Sequence, residues 1–208
     1  MLFTLSENEE RKTDMKNILK EIRISVLATI SLTAILCGLY PLTVWVLAQG
    51  LFPARANGSL ITVNGRTSGS SLISQGFTDP KYFHSRPSMA GQGYDATSSG
   101  GSNLGPTSKK LIDEVGRRVS AYRAENNLAP DDLVPADAVT ASASGLDPHI
   151  SLQNALLQAP RVAGARGMSE AEVKKLVQLH TEGRFLGLIG EPRVNVLMLN
   201  LALDRVFQ

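Results

Sequence analysis

Apolar positions are crowded towards one end of the chain. From Ile24 to Ala54 the sequence reads ISVLATISLTAILCGLYPLTVWVLAQGLFPA, and no charge falls between Arg23 and Arg55. A bilayer core takes about 20 apolar residues at 1.5 Å rise each. A Lys, Arg or Asp at the centre of such a helix costs roughly 2.5–3.5 kcal/mol. Val26 to Ala48 meets both conditions, so the pattern predicts a transmembrane helix over residues 24–52. Pro41 would break a soluble helix, but in a membrane it is tolerated as a kink when neighbours re-satisfy the freed carbonyl. The rival is a cleaved signal peptide, for which Ala54-Arg55-Ala56 supplies a small-x-small site. A signal's apolar region runs about 7–15 residues, roughly half of what is present here.

Residues 56–208 carry patterns of a different kind and are enough for one soluble domain. Ser59 to Val63 reads as a strand, Asn64-Gly65 as a two-residue hairpin turn, and Ser70 to Gln75 as the return strand. Phe77 to Arg86 is irregular, and Ser88 to Ser108 is a long Gly/Ser-rich loop. Thr107 or Ser108 caps a helix with Leu111, Ile112, Val115, Val119 and Tyr122 on one face. Ser151 caps a second helix that Pro160 should end or kink. Ser169 and Glu172 form a capping box for a third, bearing Val173, Leu176, Val177 and His180. Arg184 to Ile189 reads as a short strand, and the length of Val194 to Val206 favours a helix. These elements predict an α+β fold: one N-terminal transmembrane helix followed by a mixed α/β domain.

Charge then orients the chain. Arg11, Lys12, Lys16, Lys20 and Arg23 precede the apolar stretch, whereas only Arg55 and Arg66 follow it closely. The positive-inside rule therefore predicts residues 1–23 in the cytoplasm and residues 56–208 outside it, in a single-pass protein of the plasma (inner) membrane. Over all 208 residues, 21 Lys and Arg face 19 Asp and Glu, a net charge of +2 that lacks the electrostatic footprint of a nucleic-acid binder. The one cysteine, Cys37, lies within the span and closes no disulfide inside the chain.

Candidate chemistry is sparse. GGSNLGPT (Gly100–Thr107) has both glycines and the final Thr of a phosphate-binding loop. Pro106, however, stands where the pattern needs Lys, removing the ammonium and a cradling N–H. His84, His149 and His180 lack the spacing of a metal pair. His180, on an apolar helical face, reads as a satisfied core histidine. Asp147 could orient His149 in a Ser-His-Asp constellation, but no GxSxG elbow accompanies it. A membrane-anchored extracytoplasmic hydrolase and a generic anchored binding module are the alternatives these residues leave open.

Four runs carry a stronger signal. They are SGSSLISQGFTDPKYFHSRPS (Ser68–Ser88), SGGSNLGPTS (Ser99–Ser108), SASGLDPHIS (Ser142–Ser151) and HTEGRFLGLIGEPRVNVLMLNLALD (His180–Asp204). In this order, behind one N-terminal span, they resemble the C subunit of the Kdp potassium-transporting ATPase. The likeness covers nearly everything from Lys20 to Asp204. It departs from the family pattern at Ser74, where a glycine is expected, and in the first nineteen residues, which read as an extension. The resemblance implies a non-catalytic accessory subunit of an ATP-driven, high-affinity potassium uptake complex. Its implied partners are a channel-like potassium-translocating subunit, a P-type ATPase subunit and a small single-span subunit. It also implies a catalytic chaperone that raises the pump subunit's affinity for ATP through a transient ternary complex, with no firmly bound cofactor and no catalytic or metal-ligating residue. Gln75, Gly100, Gly101, Ser102, Asn103, Asp147 and His149, all inside the matched runs, are the candidates for partner contact.

Overall fold

The computed structural model describes the backbone of residues 3–206 and the side chains of residues 15–205. The chain divides into two units, the first ending at Gly58 and the second beginning at Ser59.

The first unit is helical. Helix α1 (Phe3–Thr33) runs into a π-helical turn (Ala34–Leu39), then α2 (Tyr40–Leu51) and a single turn, α3 (Pro53–Ala56). The stretch Met15–Leu51 has an 18-residue window of mean hydropathy 2.0 and is long and apolar enough to cross a bilayer. Its large side chains are uncovered within the chain: Leu39, Tyr40, Leu42 and Trp45 are each more than 60% exposed. Helical backbone satisfies its own polar groups, which is what the bilayer interior demands. The hydroxyls follow the same rule, Thr29 donating to the Ser25 carbonyl and Thr43 to the Leu39 carbonyl, both at 2.8 Å. The π turn lies just before Pro41. That residue has no N–H to return to Cys37, and its ring would crowd the Cys37 carbonyl in a regular helix. The wider turn, in which the Tyr40 N–H bonds the Ile35 carbonyl, is how the helix meets the proline.

The second unit begins with a hairpin. Strands β1 (Leu60–Val63) and β2 (Arg66–Ser70) pair antiparallel, with Val63 opposite Arg66 and a bulge between Ile61 and Thr62. Asn64 and Gly65 both have positive φ, 50° and 75°, the left-handed pair that a two-residue hairpin turn requires. The return strand therefore starts directly after the turn, and not at Ser70 as the sequence pattern suggested. Three short strands form a second sheet in the order β3-β5-β4, from His149–Ser151, Thr181–Glu182 and Arg193–Asn195 in chain order, with both neighbours antiparallel to β5. Ile150 lies opposite Val194 in this sheet, and both are buried.

Five helices complete the unit: α4 (Lys109–Glu125), α5 (Ala136–Val139), α6 (Leu152–Arg166), α7 (Glu170–Leu179) and α8 (Val196–Val206). The core gathers Ala155, Ala159 and Val162 of α6, Val173 and Val177 of α7, and Val196, Leu199 and Leu203 of α8 around Phe83. Ser151 caps α6 by accepting from the Asn154 N–H, and the Ser169–Glu172 capping box opens α7 as expected. Helix α4 keeps its predicted span but is largely a surface element, with Tyr122 buried and Ile112 60% exposed.

Three expectations are corrected. Of the two outcomes expected at Pro160, the ending does not occur: α6 continues through the proline, which sits on the solvent side of the helix, away from the core packing of Ala159 and Val162. It ends instead at Gly167, in the left-handed conformation at φ 66°. Residues 184–189 form a tight loop closed by one bridge between Phe185 and Ile189, because Gly183, Gly187 and Gly190 punctuate the run. The run from Val194 is divided, its first two residues belonging to β5 and the remainder to α8. At the departure from the family pattern, Ser74 does not adopt positive φ, so its Cβ is tolerated. Its buried hydroxyl, however, has no hydrogen-bond partner.

Phe83 reaches the core on a segment with no strand beside it, so its peptide groups depend on side chains. Asn200 accepts from the Phe83 N–H at 2.8 Å and donates to the Phe83 carbonyl at 3.0 Å. Gln158 does the same for His84, at 2.7 and 3.1 Å. Replacing Asn200 by Leu keeps the branched heavy-atom skeleton but strands two buried peptide groups, which should cost about 2–4 kcal/mol. Ile112→Ala, on the surface, should stay within about 0.5 kcal/mol. Thermal unfolding followed by circular dichroism compares the two; equal midpoints would refute the role given to Asn200.

Candidate functional site

The segment from Thr140 to His149 holds the matched runs together. Its backbone accepts from three directions: Leu146 from the Ser74 N–H at 2.9 Å, Ser144 from the Gly100 N–H at 3.0 Å, and Gly145 from the Ser88 hydroxyl at 2.6 Å. Such close approach requires glycine. A Cβ on Gly145, which sits at φ 67°, would lie 2.7 Å from both the Ala90 nitrogen and the Gly100 oxygen. A Cβ on Gly101 would lie 3.0 Å from the Ala143 oxygen. The P-loop-like run is thus packed against this segment at Gly101, and the Gly100 amide that would cradle a phosphate is already bonded.

This segment delivers Asp147 and His149 to the edge of the second sheet. Asp147 accepts from Arg86 Nη1 at 2.9 Å and from the His149 amide at 3.0 Å. The His149 ring has Nδ1 at 3.5 Å from Asp147 and Nε2 at 3.9 Å from Glu182. Glu182 in turn accepts from Arg193 Nε at 2.9 Å. The result is a row of ionisable side chains, Arg86–Asp147–His149–Glu182–Arg193, beside a shallow hollow of about 450 Å³ that all of them but Glu182 line together with Asp137 and Glu191. The His149 ring, with the His149 amide and Arg86 behind it, holds the Asp147 carboxyl down to about 2, against partial burial that pulls the other way.

Not all seven candidates converge. Asp147 and His149 meet directly, and Gly100 and Gly101 pack on the backbone just ahead of them. Gln75 donates to the Ser68 carbonyl at 3.0 Å and accepts at its own carbonyl from Ser85, tying β2 to the irregular segment. Asn103 is exposed in the left-handed region at φ 52°, and Ser102 is half-buried beside it. Sequence reasoning missed Arg86, Glu182 and Arg193. Their one signal was position within the matched runs, because an ion pair between distant residues leaves no spacing to read.

The histidines have separate partners. His84 Nδ1 lies 2.7 Å from Glu125, an interaction that lowers the carboxyl's pKa. His180 ends α7, with Nδ1 2.9 Å from the Leu176 carbonyl, so it is satisfied at a helix end and not within the core. The hydroxyl closest to His149 in sequence, Ser151, is committed to Asp137 at 2.9 Å. Burial pushes the Tyr122 phenol up; it donates to Asn154 at 2.8 Å. Among the described residues, no group of three or more His, Cys, Asp or Glu is arranged to hold a metal ion.

A family model described as KdpC, the K+-transporting ATPase c chain, matches residues 22–205. Similar proteins carry the name potassium-transporting ATPase KdpC subunit. One from Koribacter versatilis is 55% identical over 185 residues, covering 89% of this chain and 94% of its own length. One from Nitratidesulfovibrio vulgaris is 56% identical over 186 residues, covering 88% and 93%. One from Mycobacterium tuberculosis is 59% identical over 167 residues, covering 80% and 88%.

The depressed acidity of Asp147 has a measurable sign. A carboxyl whose folded pKa lies near 2, against an ordinary value of 3.8, contributes stability that is fully present above about pH 4. That contribution is lost as pH falls towards 2. Asp147→Asn should destabilise the protein at pH 7 by about 1–2 kcal/mol, allowing for solvent screening at this partly exposed site. The gap from wild type should narrow below pH 4 in thermal melts; a gap independent of pH would refute the assignment.

Proposed function

The chain belongs to the KdpC family, the c chains of K+-transporting ATPases, and from that membership we propose that it acts as a membrane-anchored, non-catalytic subunit of an ATP-driven potassium uptake complex. The observation that carries this reading is the family match across residues 22–205, which takes in the apolar helix and the soluble unit together. The partners are a channel-like potassium-translocating subunit, a P-type ATPase subunit and a small single-span subunit. The way ionisable groups are spent supports a contact role: Asp147, His149, Glu182 and Arg193 engage one another along a surface hollow.

The anchor is retained, its N-terminal side cytoplasmic and the unit from Ser59 onward outside. The excess of Lys and Arg before the apolar stretch supports this orientation. A bilayer with its headgroups is about 40–45 Å thick, so a domain on the far side cannot touch a cytoplasmic nucleotide. The chaperone effect on ATP affinity is then a coupling free energy carried by the partners' helices, which requires that this subunit contact two states of the pump differently. Any ATP in the ternary complex is held by the pump subunit.

Two measurements check these statements. A mild-detergent pull-down of the tagged chain from potassium-starved cells should recover a channel-like subunit and a P-type ATPase, identified by mass spectrometry. Recovery of the chain alone would sink the subunit reading. Alanine at Asn103, Asp147 and His149 together should reduce that recovery, whereas intact assembly and potassium uptake would remove those residues from the contact surface. For orientation, Lys109→Cys in a Cys37→Ser background should react with a membrane-impermeant maleimide in intact cells. Labelling that appears only after lysis would reverse the topology.

A further inference from the structure

The loop between β4 and β5 exposes a cluster of large apolar residues. Phe185 is 69% exposed, Leu186 78%, Leu188 82% and Ile189 65%. Singly exposed apolar residues are ordinary; four large ones within five positions form a patch that calls for a partner. The loop is also rigid. The Phe185 N–H donates to the Ile189 carbonyl at 2.8 Å, the Ile189 N–H returns to Phe185 at 3.0 Å, and the Gly187 N–H closes on Arg184 at 3.0 Å.

Leu186 adds a second observation. It sits at φ 52°, in the left-handed region that Gly and Asn occupy readily and a branched side chain does not. With Gly187 at φ 75° it makes the turn that closes the Phe185–Ile189 pair, and its side chain, 78% exposed, adds no packing within the described residues. Backbone strain held in this way marks positions kept for a purpose other than local stability.

The surroundings decide what covers the patch. At its base Arg184 pairs with Glu191 at 2.9 Å and Arg193 with Glu182 at 2.9 Å, so positive charge is cancelled on both sides. A loop built for a lipid surface would carry surplus Lys or Arg for anionic headgroups and Trp or Tyr for the interface. This one carries neither: residues 183–190 read GRFLGLIG. An apolar centre ringed by paired charges is the anatomy of a protein–protein contact. The rim is continuous with the hollow beside Asp147 and His149, since Glu191 and Arg193 line both.

We propose that residues 184–190 form a rigid apolar plug that seats in an uncharged, apolar-lined cavity of another subunit of the transporter, with Leu186 and Leu188 as its anchors. The proposal rests on the subunit reading above and names the surface through which it operates. The test uses the full chain co-expressed with the other subunits. Leu186→Asn relieves the positive-φ strain, so it should leave the thermal midpoint unchanged or raised while weakening co-purification of the partners. Leu188→Asp, at an exposed position, should keep the fold and reduce partner recovery at least about tenfold, the effect of roughly 1.4 kcal/mol at the contact. A photo-reactive phenylalanine analogue at position 188 should cross-link to a single polytopic subunit at an apolar site. Wild-type recovery with both variants, or cross-links to lipid alone, would overturn the plug and leave the subunit reading standing. Failure of the unmodified chain to recover any subunit would instead bring down that reading, and the plug with it.

Discussion

A stretch of irregular backbone must cross the interior of the second unit, and much around it follows from how its peptide groups are satisfied. Residues 82–84 have no neighbouring strand, yet Phe83 is fully buried. Two carboxamides, Asn200 from α8 and Gln158 from α6, each offer one donor and one acceptor to a single residue of the segment. They act as one-residue strands. The arrangement continues outward, with Arg161 donating to the Pro80 and Tyr82 carbonyls and Arg166 to that of Lys81. Once the segment is pinned on α6 and α8, Arg86 at its end is delivered to Asp147. The core thus places Arg86 in the charged edge, and the 140–149 segment brings Asp147 and His149 to meet it.

That dependence explains what could be read in advance. Local rules were legible where the physics is local: the Asn64-Gly65 turn, the Ser151 cap and the Ser169–Glu172 box all appear as their residues require. Pro160 does not end α6, and its place on the solvent side of the helix is something a single sequence does not show. The run from Val194 satisfied both strand and helix periods. The choice was made by pairing, since Val194 lies opposite Ile150 while the residues after Asn195 meet the helical core. Of the candidate site, Asp147 and His149 were visible through a turn motif, but their partners were not. Arg86 and Glu182 lie 61 and 33 residues from the groups they pair with, and only the fold brings them together.

Gly145 in the 140–149 segment and Gly101 packed against it show how the four matched runs meet. Gly145 and Gly101 each mark a place where one backbone lies against another with no room for a Cβ. The first run, through Ser74 and Ser88, the second, through Gly100, and the fourth, through the Val196 N–H, all donate hydrogen bonds to carbonyls of this segment. A change in one run therefore alters the seat of the others. In physical terms the four motifs are one packed junction seen four times along the sequence.

The π turn ahead of Pro41 has a consequence for whatever lies alongside the apolar helix. A π turn takes up about one residue more than the 3.6 of an α-turn, which rotates everything beyond it by about 100°. The stripe of side chains that faces a neighbour before Ala34 is therefore not the stripe that faces it after Leu39. The helix is out of phase with itself, so a straight neighbour can mesh with one half of its length only. Two different sectors, one from each half, are presented to two different surroundings by a single span.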